Sequence, residues 1–314
     1  MDAVITWVDG NDPSFREKIN RYATNNDQKR DDVGSTTRFA DNGEIFWCVV
    51  AINRFAPFID RIFIVTYGQN PHLEEKLEEV FPEGFIPIII VDHSVIFKGY
   101  EQFLPTFNSN SIETMLWRIP EISDRFIYFN DDIILSAPAT EEDFFTKEGK
   151  TICYGQKYSR LLIRIQNALK SKRYGQKRIS WKGSMVTAAD MIDNGSFILK
   201  LCHSPRALRK SFYEDFFAKH PEAVILNIKD KFRQHYQYNV QELQNLSDYK
   251  AGRCVLLPDN EHLFFFKKDY AHLDDELKRL DGGNFKFVCF NSLDKASPEQ
   301  LKKIESWFNR RLDL

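Results

Sequence analysis

The sequence is short of the features that usually settle a protein's class at once. Its 314 residues include 5 cysteines (Cys48, Cys153, Cys202, Cys254 and Cys289), far apart and never spaced as CxxC. That excludes the common zinc spacings and a disulfide framework, and predicts buried thiols in a reducing compartment. No apolar run approaches the roughly 20 residues of a membrane span; the longest, at residues 85–91, is interrupted by Pro87. The first ten residues carry Asp2 and Asp9 and no basic start, so no secretory leader is expected. Charge of one sign is lacking as well. Lys and Arg number 43 against 45 Asp and Glu, a net of −2 that argues against a nucleic-acid partner. GxGxxG does not follow the first strand, and GxxxxGKS/T, GxSxG and HExxH occur nowhere. Their absence speaks against a dinucleotide fold, a P-loop NTPase, a serine hydrolase elbow and a zincin.

What is present is an ordinary globular composition, 43% hydrophobic, in a chain long enough for two domains or one large α/β unit. The first half alternates strand and helix signals. Residues 3–8, 61–66, 85–91 and 125–129 read as strands, with helices expected over 44–55, 72–81 and 111–118. Strands separated by single helices imply right-handed crossovers and a doubly wound, mostly parallel Rossmann-like sheet. Ligands of such sheets sit beyond the carboxyl ends of the strands, just after Val8, Val91 and Phe129. The last third reads as helices and loops around one strand-like run at 285–290. It closes with a well-signalled helix: Ser297 to cap it, Pro298 in its first turn, and Gln300 to complete a capping box.

Residues 149–189 differ from the rest. They hold no Asp or Glu but ten basic residues, among them Arg160, Arg164 and Lys182. Tyr158, Leu161, Leu162, Ile165 and Leu169 mark an apolar stripe on a helix there. Such a stretch attaches a protein to an anionic membrane or a polyanionic substrate, or is a solvated basic face. The chain divides accordingly into 1–148, the basic insertion 149–189, and 190–314.

Chemistry-bearing residues cluster at the expected strand ends. Asp131 and Asp132 directly follow a buried strand, where adjacent carboxylates suit a hard divalent cation, Mg²⁺ or Mn²⁺. A capped turn would use the same residue types. Trp7, Asp9, Gly10, Asn11 and Asp12 form a second cluster, in which Gly10 admits close backbone approach and Trp7 can stack on a ring. Read alone, it is better taken as a tight turn beside a core tryptophan. Arg38, Asp41 and Glu44 precede one helix, and Asn108, Ser109 and Glu113 begin another, with helix capping as the alternative. His203 has the chemistry of a general base, and Arg233 that of a bidentate phosphate ligand, with a structural histidine and a surface ion pair as the alternatives.

In order along the chain, these motifs resemble the Stealth family of sugar-phosphate transferases. VITWVDGNDP at 4–13 is similar to its first conserved region. RFADNGEI at 38–45, the run at 55–71, LPTFNSNSIETMLWRIP at 104–120 and FIYFNDDIIL at 126–135 are similar to the second. Residues 203–233 resemble the third and KFVCFNSLD at 286–294 the fourth. The resemblance implies a fold of the nucleotide-diphospho-sugar transferase kind. It also implies transfer of a hexose-1-phosphate from a UDP-sugar to a hydroxyl of an oligosaccharide or polysaccharide acceptor, with release of UMP. By the same resemblance Asp131, Asp132, Glu113 and Asn291 would hold Mg²⁺, His203 would deprotonate the acceptor and Arg233 would bind the transferred phosphoryl group. Trp7 to Asp12, Arg38, Glu44, Asn108 and Ser109 would line the donor pocket. Two departures stand out: Ser292 where the family has Asp, with Asp294 two places on, and Gly43 where an acid is more common. The setting implied is cytoplasmic capsule synthesis; the basic stretch itself, through Arg160 and Arg164, would add peripheral contact with the anionic inner membrane face. The competing readings are a metal-dependent glycosyltransferase releasing UDP and an inactive module that binds an anionic glycan.

Overall fold

The computed structural model describes residues 1–23, 39, 41–174, 180–193, 195–258, 262–266 and 270–314. Its centre is a five-stranded sheet built from β1 (Asp2–Thr6), β2 (Arg61–Thr66), β3 (Ile88–Asp92), β4 (Arg125–Asn130) and β8 (Arg206–Arg209). The order is β3-β2-β1-β4-β8; the first four are parallel and β8 runs antiparallel on the edge. β1 lies in the middle, covered on both faces, so its Ala3, Val4 and Ile5 are all apolar rather than alternating. Its register is fixed by charge. Fully buried Asp2 accepts from Arg61 at 3.0 and 2.9 Å and from the Ser123 N–H at 2.7 Å.

Helices cover both faces, as the double winding predicts. On one side, Ala3, Ile5 and Ile64 meet α2 (Glu44–Phe55) and the terminal helix α12 (Pro298–Leu312). Trp47 stacks on Phe308 there at 4.3 Å. On the other side, Val4, Phe63 and Tyr128 meet α5 (Ser109–Met115), α9 (Pro221–Ile228) and α10 (Val240–Lys250). Between β1 and β4 the chain also forms α1 (Pro13–Tyr22), α3 (Glu74–Val80) and the short α4 (His93–Ile96). The capping box at Ser297 and Gln300 forms as expected, with reciprocal contacts at 2.8 and 3.2 Å.

The last third is richer in strands than the sequence suggests. Besides β11 (Phe287–Phe290) it contains β7 (Phe197–Leu201), β8, β9 (Cys254–Leu257) and β10 (Leu263–Phe266). Most are four residues long, too short to show a period, and β8 begins and ends in arginine. β11 pairs with β10 on one side and with β5 (Ile133–Leu135) on the other, and β7 and β9 flank β6 (Thr151–Ser159). The basic stretch therefore contributes β6 to a sheet before entering α6 (Arg160–Tyr174) and α7 (Trp181–Met191). α8 (Lys210–Lys219) and α11 (Leu273–Asp281) complete the helices of the described residues. All five cysteines are free, and four of them are buried.

Candidate active site

The carboxyl ends of β1, β2, β3 and β4 open onto a two-lobed cavity. The larger lobe, about 560 Å³, is lined by Thr6, Trp7, Tyr67, His93, Glu44, Asp131 and Asp132, with Asn291 to Lys295 along one wall. The smaller, about 240 Å³, is more polar and is bounded by Asn110, Ser184, Arg206, Gln237, Asn239 and Gln241. Six residues line both: Glu113, Tyr128, Asn130, Trp181, His203 and Arg233. Two compartments joined at a polar neck suit two substrates that react where they meet.

The floor of the larger lobe is acidic. Asp131 and Asp132 follow β4, and Asp131 Oδ1 accepts the Asp132 N–H at 3.1 Å. Asp132 Oδ2 accepts from the Cys289 thiol at 3.6 Å, while its buried Oδ1 has no partner among the described residues. Burial pushes the Asp132 carboxyl up to about 6. Asp131 is raised further, by burial and then by the charges of Asp132, Glu44 and Asp41. Glu44, at the first turn of α2 behind left-handed Gly43, is pushed up to about 7 by burial and by Asp41. Carboxyls crowded this way repel one another, and a cation relieves them. Among the described residues no group of three or more His, Cys, Asp or Glu is arranged to hold a metal ion. Two carboxylates with open valences still fit Mg²⁺, which commonly takes one or two carboxylates and completes its shell with substrate phosphates and water.

The neck pairs acid with base. Arg233 is half-buried, donates to the Ser109 hydroxyl and faces Glu113, while its buried Nε has no partner among the described residues. Burial raises the Glu113 carboxyl, and the Arg233 charge opposes that rise. Glu113 also accepts from Gln241 at 3.2 Å. The structure thus sets Glu113 against Arg233 rather than in a cluster with Asp131 and Asp132. The Tyr128 hydroxyl bridges Thr6 at 2.9 Å and Asn130 at 2.6 Å. His203 lies at the neck, its ring 5.7 Å from Trp181 and 5.1 Å from Phe265.

Of the residues singled out in the sequence, Trp7, Glu44, Ser109, Glu113, Asp131, Asp132, His203, Arg233 and Asn291 line the cavity. Asp9, Gly10, Asn11 and Asp12 do not. They satisfy one another as a turn: Asp9 accepts the Asn11 N–H at 2.7 Å, and Asp12 caps α1 through the Ser14 N–H at 2.8 Å. The close approach at Gly10 is to the chain's own Phe39 carbonyl, whose oxygen accepts its N–H at 2.6 Å. Fully buried Asn108 does not line the cavity: it caps α5 and donates to Gln237 at 3.0 Å, behind a residue that bounds the smaller lobe. Arg38 lies outside the described residues. Tyr128, Asn130, Trp181, Arg206 and His93 were not singled out. His93 follows β3 at the carboxyl edge, so its position alone could have found it.

Residues 1–27 of the chain match the description Stealth protein CR1, conserved region 1, and residues 38–153 match Stealth protein CR2, conserved region 2. The capsular polysaccharide phosphotransferase WcwK of Streptococcus pneumoniae is 34% identical, over 96% of this chain and 92% of its own length. The chain belongs to the Stealth family. The capsular polysaccharide phosphotransferase cps1A of Actinobacillus pleuropneumoniae is 30% identical over 76% of this Stealth chain, which spans 62% of that relative's length. Among solved structures, the WbbM bifunctional glycosyltransferase without ligands matches 99% of the chain and 49% of its own, with a TM-score of 0.53 at 11% identity. That likeness is one of α/β fold. Within this Stealth chain the first matched region supplies Trp7 and the second supplies Glu44, Ser109, Glu113 and the acidic pair. His203, Arg233 and Asn291 reach the cavity from outside both matched regions.

Proposed function

We propose that the chain transfers a hexose-1-phosphate, of the N-acetylhexosamine kind, from a UDP-sugar to a hydroxyl of a glycan acceptor. One observation carries this reading: a half-buried acidic pair and an arginine whose Nε is buried open onto one cavity whose neck holds His203. A diphosphate needs both signs of charge around it, a cation on one side and a fixed guanidinium on the other. The donor nucleotide occupies the larger lobe, between Trp7, Tyr67 and His93, with its diphosphate toward Asp131 and Asp132. The acceptor sugar occupies the smaller lobe, whose amide side chains suit hydroxyl recognition.

The chemistry follows from that placement. The acceptor hydroxyl loses its proton to an unprotonated ring nitrogen of His203, and its oxygen attacks the β-phosphorus. The bond from that phosphorus to the bridging oxygen breaks, UMP leaves, and a phosphodiester remains. Arg233 binds the non-bridging oxygens, and Glu113 holds the guanidinium in place. Asp131 and Asp132 would hold Mg²⁺, which when bound offsets the charge on the diphosphate. Asn291 and Asp294 face the same lobe and flank Ser292, so Asp294 is the carboxylate available where the family pattern is broken.

Nucleotide release tests the reading. The full chain is incubated with UDP-GlcNAc or UDP-ManNAc, Mg²⁺ and short capsule-type oligosaccharides, and the free nucleotide is identified. UMP that disappears with EDTA is the expected result. UDP would mean that the glycosidic bond breaks, and the chain would then be a glycosyltransferase; glycan binding without either nucleotide would leave a binding module.

A further inference from the structure

Helix α6 turns its apolar residues outward. At about 100° per residue, Leu161, Leu162, Ile165 and Leu169 fall within a single arc of about 100°. Their exposures are 66%, 58%, 47% and 64%. The opposite side of the helix is already anchored, since Ile163 is 2% exposed and packs in the core shared with α7 and β7. The outward stripe meets no partner among the described residues. Four large aliphatic side chains in one exposed row mark an interaction surface rather than scattered surface residues.

The charge of the segment that carries the stripe indicates what covers it. Residues 149–189 carry ten Lys and Arg and no acid. Lys157 lies over Phe197 and Tyr249, and Lys182 over Tyr158, contacts that hold the ammonium groups in place. Arg160 and Arg164 both pair with Asp190 of α7, so they fasten α6 to the body and are not the free cations the sequence suggested. A second copy of this face would set two basic surfaces against each other. An anionic bilayer instead offers phosphate to the basic segment and an apolar boundary to the stripe. α6 has 15 residues, and no described helix is long and apolar enough to cross a membrane, so the helix lies along the surface.

We propose that α6 docks on an anionic phospholipid surface through Leu161, Leu162, Ile165 and Leu169. Its neighbour α7 begins with Trp181, which lines the neck of the cavity, so the docked face and the site lie on consecutive helices.

Sedimentation of the full chain with vesicles tests this without reference to activity. The expected result is binding to vesicles of phosphatidylglycerol and phosphatidylcholine that weakens with salt, and little binding to phosphatidylcholine alone. Leu162→Ser with Ile165→Ser lowers the partition coefficient by roughly tenfold or more. Leu161→Ser with Leu169→Ser does the same independently, and both variants keep the wild-type melting profile because the side chains are exposed. Wild-type protein that stays in the supernatant with either vesicle overturns the proposal, as does unchanged partitioning of both folded variants. A dimer that the substitutions dissolve, with no vesicle binding, assigns the stripe to a second copy and overturns it equally.

Discussion

Replacing Glu44 by Gln probes the electrostatics of the acidic floor of the cavity. Glu44 is 5% exposed, and burial first, then the charge of Asp41, pushes its carboxyl from an ordinary 4.5 to about 7. That gap corresponds to about 3 kcal/mol. The folded carboxyl holds its proton more tightly than the unfolded one. Its contribution is therefore fully present below pH 4.5 and is lost as the pH rises through 7. In Glu44→Gln the amide oxygen can still accept the Asn42 N–H, and the titration is gone. Urea unfolding in EDTA at pH 5 and pH 8 measures the difference. The wild-type protein should lose more stability across that interval than Glu44→Gln, by about 2.5 kcal/mol. At pH 8, Mg²⁺ at a hundredfold excess over its Kd should return about 2.7 kcal/mol to the wild type and little to Asp132→Asn. Equal pH dependence in wild type and Glu44→Gln would refute the account of the floor. Equal Mg²⁺ response in Asp132→Asn would remove the acidic pair as the cation site.

Other residues give separate tests. His203→Ala should cut turnover roughly 10²–10⁴-fold while nucleotide binding by calorimetry is kept, and normal turnover would end its assignment as base. Burial pushes buried His93 down to about 4, so its contribution is present above pH 6.5 and is lost as the pH falls through 4. His93→Gln should accordingly lessen the loss of stability between pH 6.5 and 4 by about 3 kcal/mol in urea titrations, and an unaltered acid limb would contradict this. Gly10→Ala would set a methyl group 2.1 Å from the Phe39 carbonyl oxygen. It should cost about 1–3 kcal/mol in unfolding free energy, and an unchanged urea midpoint would show that the turn does not depend on that approach.

The two halves of the chain were unequally legible. β1, β2, β4, α2 and α12 could be read because buried strands and amphipathic helices leave strong periods, and Ser297 and Pro298 punctuate the last helix. β8 could not be read, because four residues bounded by arginines show neither alternation nor an apolar run. Its pairing with β4, which places Arg206 opposite Tyr128, comes from contacts distant in sequence. Asp9 to Asp12 misled for a related reason. Asp, Asn and Gly serve turns and ligands alike, and only the bonds they make show that Asp9 closes a turn and Asp12 caps α1.

The sequence by itself determined the parallel sheet, the edge at which a ligand would lie, and the acidic pair at that edge. Each follows from local pattern: buried strands, single-helix crossovers, and carboxylates at a strand's end. Tertiary structure alone decided that Glu113 faces Arg233, that Asp9 to Asp12 leave the cavity, that His93 enters it, and that α6 presents its apolar stripe to the outside. Those outcomes depend on how each element is rotated in its packing, and rotation is set by neighbours far away in the chain.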